Sequence, residues 1–108
     1  MLERHHIIFK SQGGLDFELN YKDLDPFMHR GDLGPHKDRE VDLIYKRELE
    51  QNLRAVLPNK SYFIEEVIEI LGLDKKQAYK AFKWTKRTSK GMDKEDIIFR
   101  LLGGRYYL

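Results

Sequence analysis

The chain of 108 residues contains no cysteine and has no apolar run as long as a membrane span. The absence of cysteine excludes disulfides, thiolate zinc sites and cysteine nucleophiles, and it fits a reducing compartment. A membrane helix needs about 20 apolar residues, and the first residues lack the apolar centre of a signal peptide. The sequence therefore predicts a cytoplasmic protein.

Charge is plentiful but unevenly distributed. Charged residues make up 35% of the chain and hydrophobic residues 41%, which is typical of a soluble globular protein of one domain or two very small ones. Residues 58–108 contain eleven Lys and Arg against seven Asp and Glu, whereas residues 1–36 contain four against six. This asymmetry indicates a polyanionic partner that binds mainly to the C-terminal half.

The N-terminal half is predicted to have the order β-β-α. A β-rich run over 5–9 leads into Gly13-Gly14, which permits a turn with positive φ, and a second strand is expected near residues 19–21. Loop signals follow over 25–35. Apolar residues at helical spacing then predict the longest helix over 36–57.

The C-terminal half is predicted to contain three shorter helices. Ser61 is expected to cap a helix that stops at Gly72, and Asp74 with Gln77 forms a capping box for a helix through about Trp84. The last helix is predicted over 93–102. The expected fold class is thus α+β, with an N-terminal unit over 1–57 and a helical unit over 58–108. Because each half has fewer than 60 residues and is marginal in size for independent stability, we expect the two to pack together.

Two of the four histidines are adjacent, and two further polar residues follow them in order. Asn20 lies 14 residues after His6, and His29 lies nine residues after Asn20. This set, with a Gly-Gly turn and a following helix, resembles the HNH nuclease family, which has the ββα-metal fold. The resemblance covers about residues 4–57.

The resemblance implies a role for each of these residues. His6 would be the general base, His5 and His29 would be metal ligands, and Asn20 would brace the hairpin and orient His6. Phosphodiester hydrolysis needs a base to take a proton from water and a cation to neutralise charge on the phosphate. Adjacent strand residues point to opposite faces, so His5 and His6 can serve these two tasks from different directions.

The chain also departs from the family pattern. His5 stands where many relatives have Asp, which makes the site softer, so Mn²⁺, Ni²⁺ or Zn²⁺ could occupy it as readily as Mg²⁺. The paired CxxC motifs of many relatives are absent, so packing of the longest helix has to stabilise the fold. The alternative is that these histidines and Asn20 are ordinary strand, turn and loop residues.

The segment from His29 to Lys37 recurs in small phage-associated HNH-like proteins that this chain resembles. Within it, His36 could be a third metal ligand, could contact a phosphate at the helix N-terminus, or could be an ordinary loop residue. Arg30 and Lys37 are predicted phosphate contacts.

Residues 61–84 resemble the helix-turn-helix of small regulators and excisionases. In that motif the second helix lies in the major groove of DNA, with its early residues facing the bases. Ala78, Tyr79 and Phe82 are expected to face the core instead. Trp84 is expected to be buried or half-buried. The alternative is a packing appendage with a solvated lysine face. The predicted DNA contacts here are Lys75, Lys76, Gln77, Lys80, Lys83, Lys86 and Arg87.

Three functions remain open at this stage. The first is a metal-dependent HNH-type DNA endonuclease or nickase, encoded by a phage or mobile element. The second is a non-catalytic binder on the same scaffold, such as a phage regulator or an inhibitor of a host nuclease, for example a CRISPR effector. The third is a plain DNA-binding regulator. Either a monomer or a dimer is compatible with the sequence.

Overall fold

In the computed structural model, which describes residues 1–108, the chain begins with an antiparallel hairpin. Strand β1 (Glu3–His6) pairs with β2 (Tyr21–Leu24). Two short 3₁₀ turns, Lys10–Gln12 and Glu18–Asn20, lie between the strands. Gly13 follows the first of them with φ of 87°, the left-handed conformation that a glycine adopts without steric cost.

Five helices and a second small sheet complete the mixed α+β fold. The short helix α1 (Pro26–Arg30) and the long helix α2 (Arg39–Val56) follow the first hairpin. No helix combines the length and the apolar character that a membrane crossing requires. The remaining elements are β3 (Ser61–Tyr62), α3 (Ile64–Leu71), α4 (Lys75–Ala81), β4 (Met92–Asp93) and α5 (Lys94–Leu101), with β3 and β4 paired antiparallel.

One hydrophobic cluster joins the two halves of the chain. Its 19 buried residues include Ile8 after β1, Leu49 and Leu53 of α2, and Phe82 and Ile98 from the C-terminal half. Burying such side chains is the main favourable term in folding, and the two halves share this term. The expectation that they pack together is therefore confirmed.

The order of the predicted elements is right, but several boundaries are wrong. The first strand ends at His6 rather than Phe9, and the second begins at Tyr21. Ser61 does not cap α3, because it pairs with Asp93 in the second sheet and leaves Phe63 as the N-cap residue. This sheet and α1 were not predicted, since two-residue strands and a one-turn helix have almost no periodicity.

The expected positions of two aromatic residues are also wrong. Trp84 is 88% exposed, because α4 ends at Ala81 and the chain turns away from the core. Tyr79 is 48% exposed and donates its hydroxyl hydrogen to Glu65. Ala78 and Phe82 are fully buried, so the expectation that they face the core is confirmed.

The C-terminal tail is held by one buried carboxylate. Glu50 of α2 is 1% exposed, and its Oε1 accepts hydrogen bonds from the backbone N–H groups of Tyr107 (2.7 Å) and Leu108 (3.1 Å). Its Oε2 accepts from Arg54 at 2.9 Å. Burial by itself would raise the pKa of Glu50, but these donors outweigh it and lower the pKa.

We expect Glu50→Ala to lower the free energy of unfolding by about 1.5–3 kcal/mol, because it removes the charged acceptor of the Tyr107 and Leu108 N–H groups and one partner of Arg54. Chemical denaturation measures this loss. The control is Glu48→Ala, which removes a partly exposed pair with Lys22 and should cost under about 1 kcal/mol. Equal losses in the two variants would contradict the tail-anchoring role of Glu50.

Candidate functional site

A tightly folded loop brings His36 back to His29. His29 lies on α1, and the following loop passes so close to that helix that a Cβ on Gly34 would lie 1.5 Å from the carbonyl oxygen of Met28. Only glycine allows this approach. As a result the two histidines, seven residues apart, place their Nε2 atoms 3.0 Å from each other.

His5 completes a cluster of three imidazoles. Its ring centroid lies 5.2 Å from that of His29 and 4.9 Å from that of His36. One nitrogen from each ring can be chosen so that all three lie within 4.8 Å of one another. The structure therefore brings together both predicted metal ligands and the residue whose role the sequence left open.

The His5 ring is buried and has no hydrogen-bonding partner. The residue is 1% exposed, and neither ring nitrogen is bonded to any group of the chain. Burial, with smaller contributions from His36 and His29, lowers the pKa of His5 to about 4, so the ring is neutral at pH 7. A buried unpaired polar group costs about 1–3 kcal/mol. A neutral imidazole is also the commonest protein metal ligand, so a bound cation would remove this cost.

Glu3 orients the second ring of the cluster. Strand alternation places Glu3 on the same face of β1 as His5, and its Oε1 lies 2.9 Å from Nδ1 of His29. With the Nδ1 hydrogen donated to this carboxylate, Nε2 of His29 keeps its lone pair and faces His36. Metal-binding histidines are commonly held in this way by a carboxylate. Sequence reasoning missed Glu3, although the i, i+2 relation to His5 was available as a signal.

The donor set fits a borderline-soft divalent cation. Two nitrogens on one tetrahedral Zn²⁺ lie about 3.3 Å apart for Zn–N bonds of about 2.0–2.1 Å, close to the 3.0 Å between His29 and His36. Imidazole nitrogens suit Zn²⁺ or Ni²⁺, whereas Mg²⁺ prefers oxygen. The residues present therefore fit the kind of group that the family resemblance implies.

His6 lies on the opposite face of β1, against Asp16. Its Nε2 is 2.7 Å from Oδ1 of Asp16, which also accepts the Tyr21 hydroxyl hydrogen at 3.0 Å. The hydrogen bonds from His6 and then Gln77 hold the pKa of Asp16 well below its ordinary value. An ionised carboxylate can only accept, so Nε2 of His6 carries the hydrogen, and the neutral form of the ring has its lone pair on Nδ1.

His6 and the three clustered histidines line the same cleft, which has a volume of about 500 Å³. Arg4 and Lys10 lie at its edge as well, and the sequence did not single them out. A proton acceptor, a possible cation site and two positive side chains therefore face the same space.

Asn20 braces the hairpin from inside. It is fully buried; its Oδ1 accepts from Ile8 N at 2.8 Å, and its Nδ2 donates to the carbonyl oxygens of Ile8 (3.2 Å) and Leu15 (2.8 Å). This matches the bracing expected of it. The expected orientation of His6 by Asn20 is not observed, because Asp16 makes that contact instead.

The predicted DNA contacts are placed in different environments. Gln77 has both ends of its amide bonded to Asp16, so it joins α4 to the site rather than facing solvent. Arg87 donates to the carbonyl oxygens of its own loop, and Arg30 is paired with Glu3. The remaining predicted contacts are exposed lysines: Lys37, Lys75, Lys76, Lys80, Lys83 and Lys86.

Comparison of the chain with protein-family models, with characterised proteins and with solved structures finds no match. What the site can do is therefore argued from its own geometry.

We expect Zn²⁺ or Ni²⁺ to raise the melting temperature of the wild-type protein, because a ligand that binds only the folded state stabilises it. Saturation at about 100 times Kd corresponds to about 2.7 kcal/mol. His5→Ala and His36→Ala should lose most of this shift. His6→Ala is the matched control, since the His6 ring pairs with Asp16 and lies outside the cluster. Loss of the shift in all three variants alike would contradict the assignment of ligands.

Glu3→Gln should weaken metal binding by about 10- to 100-fold, the usual effect of losing a carboxylate that orients a ligand. Isothermal titration with Zn²⁺ measures it. Glu69→Gln is the control, because Glu69 is exposed on α3 and does not line the cleft. If the two variants bind Zn²⁺ equally well, Glu3 does not orient His29.

Proposed function

We propose that this protein is a metal-dependent DNA endonuclease or nickase of HNH type, with its site on a ββα-metal arrangement of β1, β2 and α1. The observation that carries the proposal is the buried His5 ring. It has no partner in the chain, and it faces two further imidazoles in the cleft that His6 also lines. This pairing of a possible cation site with a histidine proton acceptor meets the two needs of phosphodiester hydrolysis.

The metal site would be formed by His5, His29 and His36. Their imidazole nitrogens would hold a divalent cation, which when bound would supply positive charge to offset that of the phosphate and of the leaving oxygen. Glu3 orients His29 and does not need to contact the substrate.

Proton transfer falls to His6. Its Nδ1 has the free lone pair and can take a proton from the attacking water. Asp16, an ionised carboxylate 2.7 Å from Nε2, holds the required tautomer and stabilises the imidazolium that forms. Asn20 keeps the segment after β1 in place through its three backbone hydrogen bonds.

Substrate attraction is assigned to the positive side chains around the cleft and on α4. Arg4 and Lys10 line the cleft, and the exposed lysines of α4 add to the positive charge of the C-terminal half. Contacts of this kind bind phosphate without reading sequence, and their strength falls steeply with salt.

His6→Ala should reduce nicking of supercoiled plasmid by roughly 10²–10⁴-fold, because it removes the general base. The measurement compares wild type and variant in Mg²⁺, Mn²⁺, Zn²⁺ and EDTA. His6→Ala should keep the metal-dependent thermal shift of the wild type, which separates a catalytic defect from loss of the metal site. Nicking by His6→Ala at the wild-type rate would remove His6 from this role, and equal nicking in EDTA would exclude the metal.

A further inference from the structure

Three clefts adjoin one another through shared lining residues. The histidine cleft shares Lys10 with a second cleft of about 310 Å³, which is lined by Lys80 of α4. The second cleft shares Ala81 and Arg100 with a third cleft of about 540 Å³. These shared residues connect the candidate cleavage site to the cleft lined by Trp84, and the row of three clefts is called the path below.

Positively charged side chains line each of the three clefts; Arg4 is paired with Glu18, and Lys10 lies 3.5 Å from Asp16, which also lines the second cleft. Arg4 and Lys10 line the first cleft, Lys80 and Arg100 the second, and Lys86 the third. Arg100 directs Nε and Nη1 to the backbone carbonyls of Ala81 and Gly13. It therefore contributes mainly charge here, while the lysines are exposed. A line of cations at intervals along a groove matches a phosphate backbone.

The path ends at an unusually exposed aromatic ring. Trp84 is the single tryptophan of the chain, it is 88% exposed, and it lines the third cleft beside Phe99. The Lys83 ammonium lies 5.1 Å from the Trp84 ring centroid, and Lys86 lines the same cleft. An indole between two lysines combines a stacking surface with phosphate-binding charge, the pair of features that single-strand binding proteins use.

We propose that these three clefts bind one single strand of DNA, with an unpaired base stacked on Trp84. The inference rests on the proposed function for the identity of the ligand as DNA. It adds that the substrate carries an unpaired stretch beside the cut, such as a flap, a bubble or a displaced strand.

A single strand fits the third cleft better than a duplex does. In a duplex the base faces are covered by stacking, so an indole can pair with a base only where the strand is unpaired. Asp96 also lines this cleft. Its carboxylate would repel a phosphate but can accept a hydrogen bond from a base amino group, which places bases at this end of the path and the backbone beside the lysines.

The fluorescence of Trp84 provides a direct test of the proposal. In EDTA, so that no cleavage occurs, a single strand of about 16 nucleotides is titrated against the full-length protein while Trp84 fluorescence is recorded. We expect the single strand to quench the emission and the matching duplex to leave it largely unchanged. Trp84→Ala, followed by fluorescence anisotropy of labelled DNA, should bind the single strand roughly 5- to 150-fold more weakly, and Trp84→Phe should retain most of the affinity.

Matched control variants distinguish binding along the three clefts from general electrostatic attraction and from effects on folding. Ile70→Ala removes an exposed apolar side chain of α3 outside the three clefts and should leave affinity unchanged. Lys80→Ala should weaken binding more than Lys76→Ala, because Lys80 lines the path and Lys76 does not.

The proposal is overturned if the single strand does not quench Trp84, if the duplex quenches it equally, or if Trp84→Ala binds the single strand like the wild type. Since these readouts need no metal and no cleavage, they are independent of the His6→Ala result. A protein that cleaves DNA but shows no quenching of Trp84 fluorescence by the single strand would therefore contradict this inference and leave the proposed function intact.

Discussion

The burial of one imidazole without a partner is the constraint on which the site depends. His5 is held inside by the alternation of β1 and by packing against the rings of Phe9, His29 and His36. Nothing in the chain satisfies its nitrogens. A folded protein rarely tolerates this unless an external group completes the bonding. Two neighbouring residues help to form the cluster around His5. Gly34 allows the loop after α1 to bring His36 back to His29, and Glu3 bonds to the ring of His29.

Asp16 couples this site to the C-terminal half. It accepts from His6 on one side and exchanges two hydrogen bonds with the Gln77 amide on the other. The shared hydrophobic core and this polar link together connect α4 to the hairpin. The carboxylate that accepts from His6 is thus also bonded to a residue of α4, the helix in which the sequence predicts DNA contacts. Lys46, fully buried beside Phe9 and paired with Asp42, further ties α2 to the hairpin.

Local signals in the sequence predicted the parts of the fold that depend on local physics. The apolar spacing of α2 and the Asp74 and Asp93 N-caps lie within single elements and are found, whereas the Gln77 side chain bonds to Asp16 and does not complete the predicted capping box. The ordered set of His5, His6, Asn20 and His29 predicted one converging site, and the structure brings together His5 and His29 of that set, whereas His6 pairs with Asp16 and Asn20 bonds to the backbone. Long-range contacts were not predictable in this way. The bond from Asp16 to Gln77 spans 61 positions, and the exposure of Trp84 depends on where α4 ends.

The most direct test of the central claim is X-ray absorption spectroscopy of the protein loaded with one equivalent of Zn²⁺. If the buried ring and its two neighbours form a metal centre, the spectrum will show imidazole scattering from three histidines with Zn–N distances of about 2.0–2.1 Å. A first shell of oxygen alone, or scattering from a single imidazole, would contradict it.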